Sequence, residues 1–106
     1  MIKQNICVMD LKLVLKKKWY DMIESGVKLE EYRDIKPHWT TRLVEAIVDA
    51  PKFKDIETVT FYLGYTKNRP KMQFKVVGVC VGAGVPEWGA EIGKNYYVIK
   101  LGERLQ

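Results

Sequence analysis

The segment Ser25–Arg33 reads SGVKLEEYR and brings a lysine, a glutamate and an arginine (Lys28, Glu31 and Arg33) close together. Read as a strand, it puts Leu29, Glu31 and Arg33 on one face and Lys28, Glu30 and Tyr32 on the other. If Leu29 points to the core, Glu31 and Arg33 follow it inward. A carboxylate and a guanidinium need a polar partner there. Such a trio can hydrogen-bond a nucleobase edge and hold a phosphate at once, with Lys28, Glu31 and Arg33 as ligand-binding residues. A plain Glu31–Arg33 ion pair, or an exposed edge strand, explains the same spacing with no site at all.

Other residues offer themselves as contributors. Lys16, Lys17 and Lys18 precede Trp19, so Lys17 is either a phosphate contact at a cleft rim or part of a solvated helix start. Tyr65 stands beside Lys67, Arg69 and Lys71, a mixture of stacking surface and charge that suits single-stranded RNA and equally an ordinary soluble loop. Trp88, within PEWGAE, is expected over the cleft as part of a lid, whereas Trp19 and Trp39 are expected in the core. His38, Cys7 and Cys80 are scattered, so no metal site is expected, and no glycine-rich phosphate loop precedes a helix, so no cofactor is assigned.

The elements that must position these groups are read from periodicity. Leu11, Leu13 and Leu15, then Val59, Phe61 and Leu63, then Met72, Phe74 and Val76, then Tyr97, Ile99 and Leu101 each alternate as half-buried strands. In the third run the apolar set changes to Val77, Val79 and Val81. Gly78 sits at the change, which predicts a bulge or sharp bend of the kind that helps a barrel close. Lys17–Ser25 predicts a short helix with Trp19, Met22 and Ile23 on one stripe, ended by a left-handed Gly26. Pro37 opens a second helix, His38–Val48, stopped by Pro51. Gly64–Lys71 and Gly82–Lys94 are loops. The order of elements indicates a single α+β domain over 1–106, a small mixed β-barrel with two or three flanking short helices.

Composition sets the outer limits. A chain of 106 residues, 47% hydrophobic and 29% charged, describes one folded domain that buries about 65% of the surface its unfolded chain exposes. Cys7 and Cys80 read as small buried hydrophobes in a reducing compartment, and neither a signal-peptide core nor a membrane-length apolar run is visible. A cytoplasmic protein without membrane association is therefore expected. Eighteen basic against thirteen acidic residues give a net charge of +5, which favours anionic partners, phosphate backbones above all, or serves solubility alone. The oligomeric state is open, with a monomer preferred.

Gly26-Val27-Lys28-Leu29-Glu30-Glu31-Tyr32-Arg33 resembles the G-x-K-x-x-[E or T]-x-R signature of ASCH domains, a branch of the PUA-like superfamily. The opening strand, the short helix ending in Ser-Gly and the closing Tyr96-Tyr97-Val98-Ile99 strand resemble the family as well, so the likeness spans nearly the whole chain. The resemblance implies a PUA-like barrel with a cleft lined by Lys28, Glu31 and Arg33. Its implied partner is RNA or a modified nucleoside or nucleotide. Some small ASCH proteins resemble amidohydrolases of acetylated cytidine that use a threonine nucleophile where this chain has Glu31, and a carboxylate cannot take over that step without a different covalent intermediate. Those amidohydrolases also use a glutamate further along, for which Glu87 and Glu91 in the long loop are candidates with no spacing to support them. Others are reported as ribonucleases, which would need Lys28 and Glu31 as an acid–base pair. Binding without turnover is the first expectation, and hydrolysis in the same cleft is the alternative.

Overall fold

The computed structural model describes residues 9–45 and 52–106; the reading of Cys7, and the part of the second predicted helix beyond Glu45, lie outside them. Strand β1 (Met9–Leu15) turns Leu11, Leu13 and Leu15 into the core and leaves Lys12 in solvent. It pairs in parallel with β5 (Ile56–Leu63), which pairs antiparallel with β6 (Lys71–Ala83). Strand β6 pairs with β7 (Asn95–Arg104), and β7 with β2 (Glu30–Arg33). The sheet order is thus β1-β5-β6-β7-β2, with β1 and β2 as its two edges. Those edges face one another, because the Arg33 guanidinium of β2 donates to the Val14 carbonyl of β1 at 3.4 Å. The sheet is curled into a half-barrel whose closing seam holds a side chain instead of a backbone ladder. With two α-helices beside it among the described residues, the fold is α+β.

The bend expected near Gly78 is present. Pairing between β6 and β7 slips between Phe74 and Val76 and again between Val76 and Gly78. The apolar run beyond it does not turn inward as one set, however: Val79 packs on the main core, while Val77 and Val81 are exposed. Strand β7 explains part of this. It is buried on both faces, with Tyr97 and Ile99 in the main core and Tyr96 and Val98 in a second cluster with Tyr32 and Ala90. The segment 84–94 covers that second face, and Cys80 is half-buried against it.

Helix α1 (Lys17–Glu24) buries Tyr20 and Ile23, so its inner stripe is shifted from the expected Trp19, Met22 and Ile23. Gly26 ends it at φ 84°, and Gly26 N–H donates to Ile23 while Val27 N–H donates to Met22, the paired bonds of a left-handed helix end. Helix α2 (Pro37–Leu43) starts at the proline as expected but stops five residues short of Val48. Val44 adopts extended angles, and the Leu43 carbonyl accepts the Lys54 N–H. A small hairpin of β3 (Val44–Glu45) and β4 (Lys52–Phe53) takes the place of the last helical turn. No helix among the described residues is long and apolar enough to cross a membrane.

Candidate functional site

The end of α1 sets the position of Lys28. Its backbone N–H donates to the Met22 carbonyl at 3.0 Å, which aims the side chain under the sheet edge. The ammonium donates to the Trp88 carbonyl at 2.6 Å, lies 3.0 Å from Glu31 Oε1, and sits over the rings of Tyr32 and Trp19 at 4.8 and 5.0 Å. Only 1% of Lys28 is exposed. That burial lowers its pKa from the ordinary lysine value, while the Glu31 carboxylate pulls in the opposite direction.

Glu31 and Arg33 share the inner face of β2, opposite Ile99 and Tyr97 of β7. The Arg33 guanidinium donates to Glu31 Oε2 and also to the Tyr32 carbonyl at 2.7 Å, and it lies 5.1 Å from the Trp39 ring. Glu31 thus offers one oxygen to each cation. The three charged groups do converge. The route differs from the expected one, because Leu29 is 54% exposed. Leu29 precedes the first residue of β2 and gives its carbonyl to Leu101 N–H at the margin of the sheet, where no core lies above it. Lys28, not Leu29, is the residue drawn inside.

A cleft of about 780 Å³ opens along the seam between the β1 and β2 edges. Glu31 and Arg33 lie on its floor, the backbone from Lys12 to Lys16 forms one wall, and Tyr65, Trp88 and Lys94 rise at its rim. Lys28 is not among the lining residues, so the expectation that it lines the cleft with Glu31 and Arg33 is corrected: it lies beneath the floor, capped by the Trp88 carbonyl. All three tryptophans of the chain line the cleft. Trp39 also packs against the core, but Trp19 is a cleft residue and not the core residue its helix position suggested. A core built from Leu, Val, Phe and Tyr left no tryptophan fully buried, and nothing in the linear pattern marked that. Lys12, Lys16, Arg33, Arg42 and Lys94 face Glu31, Asp34 and Glu91 around the cleft, leaving it net positive.

The segment 84–94 is fastened over the sheet by two phenols. Val85 N–H donates to Tyr32 Oη at 2.9 Å, and Glu91 N–H donates to Tyr96 Oη at 2.9 Å. Tyr32 in turn donates to Glu30 at 2.8 Å. Burial, and then the Glu30 carboxylate, push the Tyr32 phenol up to about 12, against the Val85 N–H, which favours the phenolate. Gly84 is needed for space, since a Cβ there would lie 2.6 Å from Ala90 Cβ and 2.8 Å from Tyr32 Cζ. Gly89, at φ 105°, passes under the Trp19 ring and ends the short 3-10 turn Pro86–Trp88. Trp88 thereby comes to line the cleft. Glu91 lines the cleft, whereas Glu87 is exposed and does not.

The remaining candidates separate. Tyr65 lines the cleft and is 85% exposed. Lys17 points into solvent and pairs with Asp21 at 2.6 Å, so Lys16 is the lysine of that run that reaches the cleft. Lys67 is exposed and outside the cleft. Arg69 folds back on its own hairpin, donating to the Gly64 carbonyl at 2.8 Å and stacking 4.2 Å from the Tyr62 ring. At the rim Lys94 bridges Asp34 at 3.0 Å and Glu91 at 3.4 Å; the hydrogen bond to Asp34 raises the Lys94 pKa, and Lys94 and then Lys36 lower that of Asp34. Compared with family models, curated proteins and solved structures, the chain has no match.

Proposed function

We propose that this chain is a small ASCH-type domain of PUA-like architecture whose cleft binds RNA or a nucleotide-like ligand without turning it over. The observation that carries the reading is Glu31, held on the cleft floor between Lys28 and Arg33. Each carboxylate oxygen has more than one acceptor direction, so an exocyclic amine of cytosine or adenine still finds an acceptor there. The tryptophans and Tyr65 supply stacking surface, and the surplus of cations suits a phosphate. The volume lies in the range of small-ligand sites. The Gly26–Arg33 signature points to the same chemistry.

The test is titration with nucleotides, modified cytidines and short RNAs, followed by heat release and by product analysis. Glu31→Gln keeps the shape but turns one acceptor into a donor. It should weaken binding by about 1.5–3 kcal/mol, roughly 10- to 150-fold. Unchanged affinity in this variant, or no binding by the wild type at low salt, overturns the reading. Hydrolysis has one supporting feature, the lowered pKa of Lys28 at 3.0 Å from Glu31. The ammonium is sealed below the floor, so substrate reaches it only if the segment around Trp88 lifts. Acetate released from acetylated cytidine by the wild type, and lost in Lys28→Ala, would put the hydrolase first.

A further inference from the structure

The outer face of β1, β5 and β6 is a polar lattice that the cleft touches only along β1, at Lys12 and Val14. Strand register aligns Asp10 with Thr58 and Lys75, Lys12 with Thr60 and Gln73, and Val14 with Tyr62 and Lys71. Both helices place their buried side chains in the core on the opposite side of the sheet. A recess of about 280 Å³ lies in this lattice, and Lys12 borders both it and the cleft. The two depressions are therefore neighbours across one lysine.

We propose that this face carries the nucleotides that follow the base held in the cleft, so that the ligand is a single-stranded RNA and not a free nucleoside. The inference rests on the nucleotide-binding reading of the cleft and extends it. Charge supports it: Lys12, Lys71 and Lys75 are exposed on the face. Asp10, its acid, is engaged by Thr58 at 2.7 Å, Thr60 at 2.8 Å and Gln73 at 3.3 Å. Hydroxyl, amide and carboxylate groups in one recess are the kind that meet sugar hydroxyls and base edges. Tyr62 lines the recess as its aromatic residue, one ring face being held by the Arg69 guanidinium at 4.2 Å. The path is long enough. From Lys16 to Lys12 the strand covers about 13 Å, and the two steps across to β6 add roughly 10 Å.

The experiment compares a nucleoside monophosphate with single-stranded RNAs of two to eight nucleotides, using the whole chain at several salt concentrations. Affinity should rise with length. Lys71→Glu with Lys75→Glu should weaken the longest RNA tenfold or more, leave the monophosphate within twofold, and make the log–log salt slope shallower by about 0.7 for each phosphate contact removed. Lys71→Arg should bind as the wild type does. Equal affinity at every length, untouched by the charge reversals, overturns the extended face and leaves the cleft reading standing. Failure of both the monophosphate and the RNAs to bind at low salt overturns the cleft reading, and the extension with it.

Discussion

Two lysines of this site touch carboxylates, and their chemistry runs in opposite directions. Lys94, at the rim with its side chain 43% exposed, pairs with Asp34 and Glu91, and its pKa rises. Lys28, under the floor and 1% exposed, pairs with Glu31, and its pKa falls. Partners alone do not set the sign; desolvation does, and it outweighs the Glu31 charge at Lys28. The rim pair is a contact that water can replace. The floor pair is part of the fold, since the same ammonium holds the Trp88 carbonyl and with it the lid.

The largest break in this contrast should come from Lys28→Met. It leaves Glu31 buried with Arg33 alone and frees the Trp88 carbonyl, so urea unfolding should show a loss of about 3 kcal/mol or more. Adding Glu31→Gln should recover part of it; equal loss in the single and double variants would show that lost lid packing, not uncompensated charge, is the cause. Gly84→Ala comes next. A Cβ 2.6 Å from Ala90 forces the lid off Tyr32, and overpacking of this kind costs about 1–3 kcal/mol. Thermal melts should show it, together with changed fluorescence of Trp88.

A pH-confined effect is expected at Tyr32. Its phenol is raised from 10.0 to about 12, so between those values the unfolded chain gives up a proton that the folded chain keeps. Stability therefore falls as pH rises through this window, and Tyr32→Phe should flatten that part of the fall. Tyr20 is raised too, by burial first, so the difference between wild type and variant is the quantity to measure. The smallest effect belongs to Lys94→Ala, whose solvent-screened pair should leave the urea midpoint nearly unmoved, and still less changed in high salt. A larger loss there would erase the distinction between rim and floor.

Much of the sheet was legible because period-two runs are local. Leu11–Leu15 and Val59–Leu63 each show which face is buried, and the phase change at Gly78 announced the bulge; the alternation of Tyr97–Leu101 missed that Tyr96 and Val98 are buried too, because the segment that covers them is remote in sequence. The left-handed stop at Gly26 was legible for the same reason, since a helix end is decided within a few residues. Helix α2 was overextended because its last turn competes with β4, a partner that the residues around Val44 do not contain. Leu29 was misplaced because alternation says which residues share a face but not where the covering core stops.

The same division runs through the site. The identities of Lys28, Glu31 and Arg33, and their closeness, follow from eight consecutive residues, because a strand and a helix end cannot carry such near neighbours far apart. Which of them is sealed and which faces the cleft was decided by the segment 84–94, whose Trp88 carbonyl comes from 60 residues away to meet the Lys28 ammonium. The gathering of Trp19, Trp39 and Trp88 is tertiary as well. They lie on two helices and a loop with no shared periodicity, and only the curl that brings the edges of β1 and β2 together makes them walls of one cleft.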